Sequence, residues 1–224
     1  MKHSVSIGLL VLGLGSVLAG CPTVVSTNDA KASPSPTATP GVNALSNDYF
    51  PMANQERWDY SLTLSGQPIG TMTMYIKALQ VAADGVVTAE ACSVSTSLLT
   101  GAPVVTVDNS IYTMSANSVT CKDSLGNTSK LLQLPLTVGE SWMDAYQHPV
   151  QVASHEAVVV PIGSFADTYK VVGTHPSGTP QSCWFAKDRG LVKIDTVTPY
   201  GTTSAMLVSH SIAPMDIPTP TPTN

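Results

Sequence analysis

The alternation of apolar and polar residues in 58–64 constrains the fold of this chain more than any other feature. Every even position of this segment is apolar or aromatic, and every odd position is polar. A period of two places alternate side chains on opposite faces of a β-strand, so the segment predicts a strand with one buried face. The same parity continues beyond a turn at 65–68, where Met72, Met74 and Ile76 occupy even positions.

Glycine, proline and aspartate separate further strand candidates along the rest of the chain. They lie at 86–98, 103–114, around 121, and at 150–160, 165–173, 181–187, 190–197 and 202–212. No stretch combines a period of 3.6 residues with helix caps. We therefore predict an all-β domain of about ten antiparallel strands joined by hairpins.

Two eight-residue segments repeat the same pattern. Residues 51–58 and 135–142 share a proline, a glutamate and a tryptophan at matching positions. Each segment precedes a strand candidate, which favours a proline-fixed approach, a tight turn and a tryptophan that closes one end of the sheet. The repeat predicts two related halves, 47–133 and 134–213.

The composition limits the classes of partner. Charged residues make up 11% of the chain, and its ten cations are scattered along the sequence. The formal net charge is -5. Clustered Lys and Arg dominate nucleic-acid affinity through phosphate neutralisation, so we expect no nucleic-acid partner.

The first 21 residues resemble a bacterial lipoprotein signal. A short basic head precedes an apolar run, which ends in Leu18-Ala19-Gly20-Cys21 like a lipobox. The resemblance implies cleavage before Cys21, lipidation of its thiol and anchoring to the cell membrane or outer membrane. The alternative is an ordinary cleaved signal that has a cysteine there by chance.

The sequence divides into four parts on this basis. Residues 1–20 form the predicted signal peptide, and 21–46 form a Ser/Thr/Pro-rich tether that we expect to be disordered. Residues 47–213 form the β domain, and 214–224 form a Thr/Pro-rich tail that we also expect to be disordered. Cys92, Cys121 and Cys183 remain in the domain without a CxxC pair. We expect Cys92 and Cys121 to share a face two strands apart, too far for a disulfide, and predict free core thiols.

No sequence motif indicates catalysis. The chain lacks G-x-S-x-G, S-x-x-K and H-E-x-x-H patterns and a glycine-rich phosphate loop. His148, His155, His175 and His210 have no spacing typical of a metal site. The repeated Glu56 and Glu140 fit turn-stabilising hydrogen bonds better than a carboxylate pair. We predict no enzyme activity, no cofactor and no metal.

Four segments together resemble a group of secreted bacterial lipoproteins. They are 48–51 with 58–60, 134–136 with 139–142, 161–165, and 184–186 with 190–193; these match the patterns YFPL…GN.W.Y, LPL.vGesW, PaGtF and Wya.gvGlVk in order. The group is related to lipoprotein-carrier folds of the LolA and LolB type. The resemblance implies a strongly curved antiparallel sheet, a half-barrel or open barrel with a concave apolar face. This chain departs at Gln55, where the family usually has glycine, and at the more charged residues 187–189.

Two functions are compatible with these features. The first is a module that binds an apolar ligand or lipid on the concave face; Trp58, Tyr60, Met72, Met74 and Trp142 are the candidate binding residues. The second is an interaction or scaffold subunit that binds an envelope protein through a sheet edge. A cavity of several hundred Å³ would favour the first, and a sheet closed on packed aromatic side chains would favour the second.

Overall fold

The computed structural model describes residues 47–98, 102–174 and 178–212, and twelve β-strands form the fold in these ranges. In chain order they are β1 (Glu56–Leu64), β2 (Gln67–Val81), β3 (Val87–Ser97), β4 (Val104–Met114), β5 (Ser118–Lys122), β6 (Thr128–Gln133), β7 (Ser141–Met143), β8 (Pro149–Val160), β9 (Gly163–Thr174), β10 (Pro180–Ala186), β11 (Gly190–Thr198) and β12 (Gly201–Ile212). Nowhere in these ranges is there a helix with the length and hydrophobicity to cross a membrane.

The prediction of about ten strands was too low, and the two strands that it missed are β6 and β7. β7 has only three residues, too few to establish a period of two. In β6 the register against β5 shifts so that Leu131 has no direct partner, and Leu131 and Leu132 stand side by side in the sequence. A bulge of this kind breaks the alternation by which a strand is recognised.

All twelve strands belong to one antiparallel sheet in the order β6-β5-β4-β3-β2-β1-β12-β11-β10-β9-β8-β7. Consecutive strands pair within β1–β6 and within β7–β12, and β1 pairs with β12 to join the two halves. The edge strands β6 and β7 approach each other: Trp142 Nε1 donates to the Lys130 carbonyl at 3.0 Å. The sheet is therefore curled nearly into a closed barrel, and the expectation of a curved antiparallel all-β fold is confirmed.

The parity seen in the sequence determines what the barrel encloses. Glu56, Trp58, Tyr60 and Leu62 of β1 are all buried, whereas the residues between them are partly exposed. Phe50 enters the interior from the segment before β1, with its ring 5.4 Å from that of Tyr112 and 6.3 Å from that of Phe185. Each large apolar side chain buried in this way stabilises the fold by about 1.5–3 kcal/mol.

The repeated segments adopt matching turns. Glu56 N donates to the Ala53 carbonyl at 3.2 Å, and Glu140 N donates to the equivalent Thr137 carbonyl at 3.0 Å. The residue before each glutamate is left-handed, with φ of 64° at Gln55 and 91° at Gly139. Gln55 therefore adopts the same left-handed turn conformation as Gly139 in the second segment.

The cysteines are free and buried, but their predicted arrangement was wrong in one respect. Cys92 pairs with Asn109 on β4, whereas Cys121 pairs with Tyr112. Positions 109 and 112 are an odd number of residues apart, so the two thiols lie on opposite faces of the sheet. Cys21, the tether, the tail and His175 lie outside the described residues, and what the sequence indicates for them stays a prediction.

Candidate functional site

The five side chains proposed as a ligand site all lie in the core. Trp58, Tyr60, Met72, Met74 and Trp142 are between 1% and 8% exposed. Tyr60, Met72 and Met74 line one interior cavity, together with residues of β3, β4 and β11. The structure does not place Trp58 and Trp142 in that lining: Trp58 lies under the β10–β11 turn, and Trp142 lies beside β6.

The polar atoms among these residues are engaged within the protein. Tyr60 donates its hydroxyl to the Leu191 carbonyl at 2.8 Å, and Trp58 Nε1 donates to the Arg189 carbonyl at 2.8 Å. The Tyr112 hydroxyl is 3.7 Å from Met74 Sδ. Burial raises the pKa of both Tyr60 and Tyr112, so these phenols stay neutral at physiological pH. They hold the strands together rather than offering acid–base chemistry.

The cavity between Tyr60, Met72 and Met74 is small. Its volume is about 20 Å³, which is room for roughly one water molecule. Pockets for small molecules usually measure about 300–1,000 Å³. An acyl chain could therefore enter this cavity only if the core rearranged.

A buried carboxylate and a histidine stabilise the turn before β1. Glu56 Oε2 accepts from the Ala53 amide at 2.7 Å, the backbone bond expected from the sequence. Its other oxygen lies 2.8 Å from His210 Nε2, and the His210 ring packs 5.5 Å from the Trp58 ring. These contacts fix the start of β1 against the end of β12, and every donor and acceptor named here is used structurally.

Asp59 links three strands on the outer face of the barrel. It accepts from Arg57 Nη2 at 2.7 Å, from Thr73 Oγ1 at 2.6 Å and from Ser209 Oγ at 2.7 Å. Burial alone would raise the pKa of Asp59, but these hydrogen bonds outweigh it and hold the pKa below its ordinary value. The cluster fastens β1 to β2 and β12.

Two further polar clusters lie near β8 to β10. Asp167 accepts from the Tyr49 hydroxyl at 2.5 Å and lies 2.8 Å from His155 Nε2; these hydrogen bonds lower the pKa of Asp167. Trp184 Nε1 donates to Glu156 at 2.8 Å, which lowers the pKa of that carboxyl. In the part of the chain that the structure describes, no group of three or more His, Cys, Asp or Glu side chains could hold a metal ion.

The feature that sequence reasoning missed lies outside the barrel, on β4. β5 pairs with β4 only over Ile111–Met114, so the first half of β4 has no strand beside it on that side within the described ranges. Val105 and Val107, on the outer face of this half, are 60% and 59% exposed. No sequence signal indicated this, because the polar residues at 106, 108 and 110 make the face of Val105 and Val107 look like the buried one.

A groove opens where β5 turns away from β4. It has a volume of about 320 Å³ and lies among Lys77, Glu90, Asn109, Ile111 and Lys122, close to the Asp123 turn. Lys77 Nζ donates to Asn109 Oδ1 at 3.1 Å. The Asp123 carboxylate accepts from the amides of Leu125 and Asn127 and is thereby committed to its own turn. No partner for the Lys122 ammonium occurs among the described residues.

Comparison with a solved structure supports the fold. The chain is similar to a candidate exported protein with a YmcC-like fold from Bacteroides fragilis, with 11% identity and a TM-score of 0.51, over 72% of this chain and 98% of that one. It also aligns with a candidate lipoprotein from Parabacteroides distasonis, with 11% identity and a TM-score of 0.49, over 74% and 99% of the two chains. The sequence matches no protein-family profile and no curated protein, so the resemblance to the four-motif group stays a prediction.

Proposed function

We propose that this chain is an extracytoplasmic lipoprotein, anchored to a membrane through Cys21, whose barrel is a non-enzymatic interaction subunit of an envelope assembly. The observation that carries the proposal is the small size of the interior cavity between Tyr60, Met72 and Met74, which has a volume of about 20 Å³. A carrier of lipid or another apolar ligand needs more than ten times that space. The first of the two sequence hypotheses therefore has less support than the second.

The outer surface supports the same proposal. Exposed valines on β4 and an adjoining groove of about 320 Å³ offer apolar area and hydrogen-bonding edges to a partner. The similar Bacteroides fragilis protein is described as exported, which agrees with a location outside the cytoplasm. The hydroxyl and carboxylate clusters described above are all used in joining strands, which favours a structural role over catalysis.

In-cell photo-cross-linking of the full chain tests this function. A photoreactive phenylalanine analogue is introduced singly at Val107, Val159, Val197 and Tyr200, all of them exposed on the outer surface. The proposal predicts that a discrete subset of these positions forms a covalent adduct with another envelope protein. If adducts appear at none of them, or if every position cross-links only to lipid, the barrel is not an interaction subunit.

A further inference from the structure

We infer that the open half of β4, residues 104–110, accepts an added antiparallel strand from a partner protein, and that this strand carries an acidic residue which reaches Lys122. The inference deepens the proposed interaction function and depends on it. It names the docking surface and the chemistry of the partner: an extended segment with apolar residues at alternate positions and an acid near its N-terminal end.

The regularity of β4 is the first argument. β4 pairs with β3 over eleven consecutive residues without a register shift, so its far edge presents an undistorted row of backbone groups. β8, whose second half also extends beyond its short neighbour β7, has two register shifts against β9. Bulges, lysines, prolines and inward-pointing charges are among the devices that prevent strand addition at an edge. Residues 104–110 contain no bulge, lysine or proline, and their one inward-pointing charge is Asp108.

The side chains of this edge define the partner's outward face. Val105 and Val107 point outward with Asn109, and the single charge, Asp108, is buried on the inner side. A strand added by β-augmentation gains affinity from main-chain hydrogen bonds and specificity from its alternate side chains. Apolar residues of the partner opposite Val105 and Val107 would bury the exposed surface of both valines.

The groove defines the charge that the partner carries. Lys122 lies opposite Ile111 at the last β4–β5 pair, immediately beyond the start of the open edge. An antiparallel strand that continues the line of β5 would place its second residue opposite Asn109, on the face that carries Lys122. Since Asp123 is held within its own turn, a carboxylate at that second position is the group that matches the Lys122 ammonium.

A second copy of this chain fits the edge less well. In antiparallel pairing of residues 104–110 with themselves about Val107, Asp108 of each copy would stand opposite Thr106 of the other. The two carboxylates would then share the inner face only one diagonal step apart, where like charges destabilise pairing. The partner chemistry above avoids this repulsion, because it places no acid on the inner face of the sheet.

The test is a binding titration with two defined peptides and the full-length protein in detergent. The probe is acetyl-Thr-Glu-Thr-Val-Thr-Val-Thr-amide with a fluorescent label, and its control has lysine in place of glutamate. We expect saturable binding of the glutamate peptide, with amide-exchange protection confined to 104–110. Val107→Lys should weaken binding at least about tenfold, because a lysine on the edge prevents strand addition. Lys122→Glu should reverse the preference between the two peptides.

Val159→Lys is the matched control, since Val159 is a 74% exposed valine on the bulged strand β8. Equal weakening by Val107→Lys and Val159→Lys, or no binding of either peptide, overturns the inference. A doubled mass that Val107→Lys abolishes would show that a second copy occupies the edge, which also overturns it. Photo-cross-links at Val197 or Tyr200 without any at Val107 would leave the interaction function intact and reject this edge alone.

Discussion

At the scale of single residues, the turn before β1 contains a conformation that its side chain does not favour. Gln55 has a φ of 64° and is exposed, and Gly139 has the same role before β7. A left-handed backbone conformation costs a residue other than glycine about 1–2 kcal/mol. Replacement by glycine removes this cost, but the greater freedom of glycine in the unfolded chain offsets part of the gain.

We therefore expect Gln55→Gly to raise the free energy of unfolding by about 0.5–1 kcal/mol, measured by urea denaturation. Gln67→Gly is the matched control, because it makes the same change at an exposed strand position of β2. It should lower the free energy of unfolding by about 0.5–1 kcal/mol, since glycine weakens strands. Loss of stability in Gln55→Gly as large as in Gln67→Gly would contradict the left-handed turn.

Asp59 provides a second prediction at this scale, because its carboxylate holds three strands. Its pKa is lowered below the ordinary 3.8, so the ionised form stabilises the fold above that value. This contribution is lost as the pH falls through the lowered pKa, because the Asp59 carboxylate is then protonated in the folded protein as well as in the unfolded chain.

Asp59→Asn should lower the free energy of unfolding by about 1–2 kcal/mol at pH 7 and by clearly less at pH 3. Denaturant curves at the two pH values measure the difference. Glu90→Gln, an exposed carboxylate on β3, serves as the control and should change stability little at either pH. An Asp59→Asn defect of equal size at pH 3 and pH 7 would show that the charge of Asp59 does not contribute.

At the scale of elements, the close approach of β2 to β3 depends on a glycine. Gly70 has a φ of 155°, and a Cβ added there would overlap the Thr96 backbone carbonyl oxygen. Because the added Cβ would overlap backbone atoms rather than a flexible side chain, the pairing between β2 and β3 would have to shift. Gly66, in the preceding turn, has a φ of 82° with open space around it.

Gly70→Ala should lower the free energy of unfolding by more than about 2–3 kcal/mol, while Gly66→Ala should cost about 1 kcal/mol from its backbone conformation alone. Thermal melts of the two variants compare them directly. Similar melting temperatures for both would mean that β2 and β3 are not as close at Gly70 as described.

The elements also show where sequence reasoning succeeded and why it stopped. The parity of residues 58–64 identified β1 and its buried face, because a regular strand preserves alternation. β6 was missed because a bulge interrupts the apolar–polar alternation at Leu131 and Leu132, and β7 was missed because three residues are too few to establish a period of two. Trp58, Tyr60, Met72, Met74 and Trp142 were correctly given an inward face. Whether that face surrounds a cavity depends on how far the sheet closes, and no local sequence pattern determines the closure.

At the scale of the whole molecule, the state of the cysteines links the barrel to its predicted anchor. Burial raises the pKa of Cys121 to about 11 and that of Cys183 to about 12, and Cys92 is also buried. Thiolate is the reactive form, so Cys121 and Cys183 should resist a thiol reagent in the native protein at pH 8, and burial should shield the Cys92 thiol from the reagent.

Unfolding the protein as purified from the membrane should release three reactive thiols per chain, because lipidation occupies the fourth cysteine, Cys21. A colourimetric thiol titration in guanidinium counts them. The Cys21→Ala chain is the control and should also give three. Four thiols from the unsubstituted chain would mean that Cys21 carries no lipid.

The central claim is that the barrel is filled by its own side chains and works through its outer surface. Native mass spectrometry of the full chain carrying Cys21→Ala, before and after incubation with a lipid extract, tests it most directly. We predict the mass of the polypeptide alone in both spectra, because the cavity between Tyr60, Met72 and Met74 has only about 20 Å³. A stoichiometric mass excess that organic extraction identifies as lipid would contradict the account and restore the apolar-ligand function.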